Sequence, residues 1–265
     1  MACHCVVIVR EAWDTRDLVG PILDETGNIK PGALQTRFEP EDLNALEAAL
    51  RIKDAQGGKV AAVTVGAPRG VEVLRECLYR GADEAFQVDA DPSTLDDRAL
   101  SVLLAGAVRK LGAPDLVLTG TSVVDGENAL LGALLAAELG WDHVAWVDAV
   151  ESVGGGRAVV KRAIEMGYET VETLLPSVLS VGVALLEDDP RAPRPAKAML
   201  KLKMKKVPIP AAAPSELGVA DPMALVTTRV ARREAVPARV IESRTVDAGD
   251  TAALKAMMAE VLKGT

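Results

Sequence analysis

The sequence predicts an α/β fold, a mostly parallel sheet carrying an antiparallel extension and a C-terminal arm. Short β-branched runs alternate with segments of helical period as far as Leu139. Hydrophobic residues make up 49% of the 265 residues but aromatics only 3%, so the core must be built from Ala, Val and Leu, the usual filling of a parallel sheet covered by helices. Beyond Leu139 strand-like runs follow one another with no helix between them.

Val6-Val7-Ile8-Val9 opens the chain as a buried strand. From Pro40 to Ala55 the period changes: Leu43, Leu46, Leu50 and Ile52 suit a helix with Pro in its first turn and a stop at Gly57-Gly58. Val60–Val65, Ala85–Val88 and Asp115–Thr119 read as strands, separated by helices over about Val71–Tyr79 and Arg98–Leu111. Such alternation implies right-handed βαβ units. Trp146–Val150, Ala158–Ile164, Tyr168–Leu175 and Val178–Val183, joined by Gly154-Gly155-Gly156 and Met166-Gly167, predict an antiparallel meander added to the sheet. Glu187–Pro214 concentrates Pro190, Pro193, Pro195, Pro208, Pro210 and Pro214 with a lysine run, which predicts an extended exposed loop. Asp250 then starts an amphipathic helix with Leu254, Met257, Met258, Val261 and Leu262 on one face.

A net charge of −8 argues against a nucleic-acid partner, because phosphate contacts need a basic surface. No apolar run approaches the ~20 residues that span a bilayer, and Met1-Ala2-Cys3-His4-Cys5 enters a strand with no charged leader, so the expected setting is cytoplasmic without membrane insertion. Cys3, Cys5 and Cys77 contain no CxxC pair and support neither a disulfide framework nor a zinc site; they read as buried or edge thiols. Phosphate fingerprints of the GxxxxGK[ST] and GxGxxG types are absent, as is any Ser–His–Asp or Cys–His arrangement, so hydrolytic chemistry has no visible machinery.

Doubly wound sheets bind ligands at the carboxyl ends of their strands. The segments following the strands are Arg10–Asp14, Gly66–Gly70, Asp89–Asp91 and Thr119–Asn128. The last is the most suggestive, since Gly, Thr and Ser in a strand-to-helix turn can carry a phosphate on amides and hydroxyls. The same residue types serve an ordinary capped turn, which composition alone favours. Lys197–Lys206 is a positive run in an acidic chain, usually a solvated face. Here Met199, Leu200, Leu202 and Met204 interleave with the lysines and make an adaptable apolar surface.

Taken together and in order, these segments resemble the β (small) subunit of electron transfer flavoproteins, in the group that includes the Fix-type subunits. The resemblance rests on Pro40-Glu41-Asp42 leading into Ala45–Lys53, on Val63–Gly66 with Leu74-Arg75 and Arg80–Asp83, and on Asp115–Gly120 followed by Asp125-Gly126. Its most specific pieces are Arg162–Thr170 with Leu175–Val178, Ala198–Lys206, and Glu216–Val219. Two departures stand out. Glu39 replaces the family's usual Asn before the proline, and a carboxylate beside a phosphorylated ligand is repulsive unless paired. Thr121, Ser122 and Leu130 stand where the family usually has Lys or Arg, Gln and Gln. Asp125-Gly126-Glu127 is more similar to the Asp-Gly-Asp of electron-bifurcating members than to the Asp-Asp-Asp of simple carriers.

The resemblance implies a Rossmann-like core of the adenine-nucleotide α-hydrolase type over residues 1–186, a partner-recognition loop over 187–214, and an arm over 215–265 that packs on the partner. It implies an electron carrier subunit with no turnover of its own, paired with a larger α subunit whose FAD carries the electrons, and a dehydrogenase or quinone reductase as redox partner. The small subunit itself would hold AMP or, in a bifurcating member, a second FAD. The implied ligand contacts are Ile8, Val65, Gly66, Gly120, Thr121, Ser122, Val124, Asp125, Gly126, Glu127, Asn128 and Ala129, with the phosphates near a helix that begins by Glu127. The implied docking residues are Leu200, Lys201, Leu202, Lys203 and Met204. Two other readings remain: a stand-alone adenine-nucleotide-binding enzyme, disfavoured by the lack of a Ser-Gly-Gly loop after the first strand, and a structural subunit with a degenerate nucleotide site.

Overall fold

The computed structural model describes residues 2–66, 70–124, 129–182, 207–232, 245–247 and 249–262. In chain order the strands are β1 (Cys3–Ile8), β2 (Glu11–Trp13), β3 (Thr36–Phe38), β4 (Gly58–Val65), β5 (Glu84–Val88), β6 (Leu116–Gly120), β7 (Asp142–Gly154), β8 (Arg157–Ile164), β9 (Gly167–Leu174), β10 (Ser177–Val181) and β11 (Ala211–Ala212). The helices are α1 (Pro40–Gln56), α2 (Gly70–Arg80), α3 (Asp97–Lys110), α4 (Leu131–Leu139) and α5 (Thr251–Val261). The nine-stranded sheet runs β11-β5-β4-β1-β6-β10-β7-β8-β9, and β2 pairs with β3 in a small separate sheet.

β1 is the centre of this order. Its odd residues Cys3, Cys5, Val7 and Val9 enter the apolar layer under α1 and α2, and its even residues Val6 and Ile8 enter the layer under α3 and α4. Both faces are covered, which is why the strand reads as an unbroken apolar run. From β1 the chain moves outward to β4 and β5, then returns through α3 to β6 on the other side of β1, every pairing being parallel. The direction of winding therefore reverses between β1 and β6, the position at which doubly wound sheets form a ligand crevice outside the carboxyl ends of the strands.

Each expected element from α1 to β6 is present within one or two residues, and β1 starts three residues before the expected Val6. α1 begins at Pro40 behind an N-cap at Glu39, buries Leu46, Leu50 and Ile52, and ends on Gly57 at φ 75, a conformation glycine adopts freely. The meander is corrected in one member. β7, β8 and β9 are antiparallel, but β10 inserts between β6 and β7 and pairs parallel to both. Ser177 to Val181 are buried at every position, as a central parallel strand requires. Bulges bend β7, and Val150, Val153 and Val171 pack on the layer that holds α1.

Two pairings were not expected. The β2–β3 ribbon lies in a stretch with no period-2 run, and Ala211–Ala212, within the segment expected as an exposed loop, extend the sheet beside β5. Two residues are too few to show a periodicity. Val219 adds to the α3 layer, and Asp96 at the N-cap of α3 accepts from the backbone amides and hydroxyls of Thr227 and Thr228, so the first part of the arm is tied to the core. Residues 187–206, with the docking candidates, fall outside the described residues.

No helix among the described residues is long and apolar enough to cross a membrane. α5 forms as its sequence predicts, capped by Asp250 onto the amides of Ala252 and Ala253. It has no buried residue: Met258, Val261 and Leu262 are 60%, 64% and 71% exposed. A helix that contributes nothing to the core should be dispensable to it. Removing residues 246–265 is expected to leave the circular dichroism of the core intact and to move the melting temperature of the isolated chain by no more than about 2 °C.

Candidate functional site

Ile8, Val65, Gly66, Gly120 and Thr121 stand at or just beyond the carboxyl ends of β1, β4 and β6, as the sequence implies. Gly66 is held at the edge by its amide, which donates to the Val88 carbonyl, and by its own carbonyl, which accepts from the Gln87 amide group. Ile8 is buried in the layer under α3, whereas Val124 is exposed.

The edge is organised by charge. Arg10, two residues past β1, turns into the crevice and donates from Nε to Asp42 Oδ2 at 2.9 Å and from Nη2 to Asp42 Oδ1 at 2.7 Å. The same Nη2 reaches the carbonyls of Gly120 at 3.3 Å and Ser122 at 3.2 Å. Asp42 is wholly buried and its Oδ1 also accepts from the Gly120 amide at 2.7 Å. A two-pronged Arg–carboxylate pair in this position is geometrically demanding and strong.

The loop after β6 is then held by the first turn of α1. Asp42 takes the amide of Gly120, Glu41 takes that of Ser122 at 2.6 Å, and Glu39 takes that of Val124 at 3.1 Å. Alternate amides of an extended loop point the same way, so three carboxylates from one helix start meet three amides from one loop. Glycine is required at 120 because a Cβ there would meet Asp42 Oδ1 at 2.6 Å and the Asp42 nitrogen at 2.9 Å. The three acidic groups also sit in the positive end of α1.

This arrangement answers the question posed by Glu39. It does not face a ligand's phosphate: it is wholly buried with its carboxylate on the Val124 amide. Burial raises its carboxyl above the ordinary value, against the opposing pull of the Val124 amide and Arg10. For Arg10, burial works against the charge and the Asp42 carboxylate more than restores it, so its guanidinium lies above the ordinary value.

The amides of Gly120, Ser122 and Val124 are thus already occupied, and Arg10 is committed to Asp42. The helix expected by Glu127 begins instead at Leu131, with no side-chain cap at Leu130. Asp125, Gly126, Glu127 and Asn128 lie outside the described residues, and Ala129 and Leu130 are exposed. Thr121 differs from its neighbours: it is 3% exposed, yet its Oγ1 has no hydrogen-bond partner. An unpaired buried hydroxyl is costly, and a ligand group at this edge would relieve it. That is the observation by which the described residues fit a polar, non-phosphate part of a nucleotide.

Sequence reasoning named Glu39 but did not see Arg10, Glu41 and Asp42 as a unit. The signal was present as two acids in a helix's first turn and an arginine just past the first strand, but only folding brings residues 10, 42 and 120 together.

Cys3 and Cys5 are buried with their Sγ atoms 3.7 Å apart, and Cys77 is buried on the inner face of α2, in keeping with the reading as buried thiols. Among the described residues no cluster of three His, Cys, Asp or Glu side chains could hold a metal ion. A concavity of about 340 Å³ opens at the opposite, amino-terminal edge, between Cys3, Gln56, Asp115, Trp141 and Pro176, away from the crevice.

Comparison with known proteins places this geometry in context. Residues 28–217 match the electron transfer flavoprotein domain. The chain is 34% identical over 273 residues to Protein FixA of Azorhizobium caulinodans, covering 98% of this chain and 94% of that one. It is 37% identical over 188 residues to the caffeyl-CoA reductase-Etf complex subunit CarD of Acetobacterium woodii, covering 70% of each. It is 32% identical over 179 residues to the electron transfer flavoprotein subunit beta of Thermoanaerobacterium thermosaccharolyticum, covering 67% of each.

Two outcomes test the acidic clamp. Asp42→Ala leaves the buried Arg10 guanidinium without its carboxylate and the Gly120 amide without an acceptor, and should lower the unfolding free energy by about 3 kcal/mol, read from denaturant midpoints. Glu39→Gln tests the buried carboxyl. A raised carboxyl in the folded state supplies stability that is full below its unfolded value and is lost as pH rises through the folded one. The permanently neutral variant should therefore gain on the wild type as pH rises from about 4.5 toward 8, and the two should converge in acid.

Proposed function

The chain belongs to the electron transfer flavoprotein family, as a small subunit of the β and FixA type, and from that premise we propose that it holds an adenylate, AMP or FAD, at the carboxyl edge between β1 and β6. It acts as an electron carrier subunit in a heterodimer with a larger, FAD-bearing α subunit. The observation that carries the reading is the reversal of winding at β1 and β6, with Ile8, Gly66 and the Gly120–Thr121 turn at its rim and an unpartnered Thr121 hydroxyl beside it. When bound, a flavin would supply the one- and two-electron chemistry.

The protein's own contribution is positional. Arg10, Asp42, Glu41 and Glu39 hold residues 120–124 in one conformation, so the loop is set before a ligand arrives. Because those amides are taken, the adenylate's phosphates would use residues 125–130, whose backbone leads into α4. The resemblance of Asp125-Gly126-Glu127 to the Asp-Gly-Asp of bifurcating members favours a second, bifurcating flavin in place of AMP.

α5 supplies the partner contact in this reading. Its exposed Met258, Val261 and Leu262 form an apolar face that the core leaves uncovered, and the larger subunit would cover it. The segment Lys197–Lys206 would dock the redox partner, with Leu200, Leu202 and Met204 as anchors and Lys201 and Lys203 steering an acidic surface.

Acid extraction and chromatography of the heterodimer co-purified from co-expressed subunits tests the ligand. One flavin with one AMP identifies the simple carrier and two flavins the bifurcating type; one flavin and no AMP defeats the adenylate site. Removing residues 246–265 should abolish co-purification with the larger chain, and undiminished association would remove α5 from the subunit interface. Leu200→Ala, Leu202→Ala and Met204→Ala combined should slow electron exchange with the redox partner at unchanged flavin content.

A further inference from the structure

The amino-terminal edge of the sheet holds chemistry that the proposed function does not use. Cys3 and Cys5 alternate along β1, so both side chains leave the same face of the strand, toward the layer under α1, while His4 between them points to the other. Their Sγ atoms lie 3.7 Å apart, and each residue is 2% exposed. The start of β1 is fixed by its neighbours. The Cys3 amide donates to the Gly57 carbonyl at 3.1 Å, the His4 amide donates to Asp115 Oδ2 at 2.8 Å, and Gly58 stands so close that a Cβ there would run into the Cys3 carbonyl oxygen. The fold therefore holds the two thiols side by side.

The concavity of about 340 Å³ at this edge reaches one of them. Cys3 is among its wall residues, with Gln56 at the end of α1, Val153 near the end of β7, and Leu175 and Pro176 before β10. Val153 and Leu175 pack on the same apolar layer that Cys3 and Cys5 enter, so the opening lies on the face to which both thiols point. Cys77, buried on the inner face of α2, is not among these wall residues. The two thiols of the pair differ in character. The Cys5 S–H donates to Cys3 and holds the Cys3 thiol below its ordinary value, against burial and the Asp115 carboxylate, whereas the same hydrogen bond and burial push Cys5 up. One sulfur is thus disposed to be a thiolate and its neighbour to stay protonated, the division that a nucleophilic and a resolving thiol require.

We propose that Cys3 and Cys5 are a redox-active pair, oxidised by a hydroperoxide that enters through the concavity and closed to an intrachain disulfide. The Cys3 thiolate attacks the peroxide: an S–O bond forms, the O–O bond breaks, and the departing alkoxide or hydroxide takes a proton from solvent. The Cys5 sulfur then attacks the Cys3 sulfur of that sulfenic acid. The S–S bond forms, the S–O bond breaks, and the Cys5 proton leaves with the hydroxide as water. Two thiols lose two electrons in all, and one hydroperoxide is reduced to an alcohol, or to water, with one further water. Alternate residues of a strand are about 6.6 Å apart along the chain, at the upper limit of the span a disulfide bridges. Closing the bond therefore pulls on the start of β1, and a bridge under such tension is readily reduced, which makes the modification reversible. The pair needs neither a nucleotide nor the larger subunit.

The full-length chain, reduced and then freed of reductant, is treated with hydrogen peroxide, alkylated, cleaved with trypsin and read by mass spectrometry. One peptide, Met1–Arg10, carries both thiols, and Glu76–Arg80 carries Cys77 as an internal reference. Met1–Arg10 should appear two hydrogens lighter and unalkylated at a rate at least about tenfold that at which Cys77 becomes oxidised, and dithiothreitol should restore both thiols. The pair should also react at least about threefold faster in the folded chain than in the same chain unfolded in guanidinium, where nothing lowers the Cys3 thiol. Cys5→Ala should stop the reaction at the Cys3 sulfenic acid, captured by dimedone, and Cys3→Ala should leave the Cys5 thiol free. Both thiols of Met1–Arg10 still open to alkylation when Cys77 has reacted, or no oxidation of either peptide, overturns the inference. So does a pair that reacts no faster folded than unfolded, which would be oxidised only through fraying of the strand. A disulfide joining Met1–Arg10 peptides of two copies, or dimedone capture on Cys5 in Cys3→Ala, overturns it as well.

Discussion

The carboxyl edge of the sheet depends on one ion pair. Arg10 and Asp42 join the end of the central strand to the start of α1, and through Gly120 they join both to the end of β6. A buried pair of this kind contributes little net stability over a well-packed apolar substitute, because desolvation offsets attraction. Its value is geometric: the guanidinium and carboxylate fix three chain segments that would otherwise meet only through loops, and Glu41 and Glu39 extend the same grip along the loop.

That grip reshapes what the edge can bind. In a doubly wound fold the free amides after a central strand ordinarily offer themselves to an anion. Here carboxylates of the chain stand in the anion's place on alternate amides, and Arg10 is neutralised by Asp42. Among the described residues of this edge, the buried Thr121 hydroxyl is left without a partner. Charge on the described part of this edge is settled internally.

A second division separates core from periphery. Residues 207–232 return to the core through Ala211–Ala212, Val219 and the Thr227–Thr228 tether on Asp96, whereas α5 forms with no buried side chain. A short helix is marginal in water unless an apolar face is covered. The capping by Asp250 sets where α5 starts, but its exposed face is what a heterodimer would bury.

The order of elements and their type were legible in the residues, since periods of 2 and 3.6, Pro40 at a helix start and Gly57 at its end are local properties that any segment carries with it. The family was legible too, because its motifs recur in order along the chain. Antiparallel or parallel placement of Ser177–Val181 was not, since a buried strand reads the same in either direction. Nor was the two-residue strand at Ala211, too short to have a period. The role of Glu39 is the sharpest case. As a letter in the sequence it is a charge beside an expected phosphate. Only the packing of α1 against the end of β6 puts its carboxylate on the Val124 amide, because hydrogen bonds between residues 85 positions apart exist only once the fold has closed.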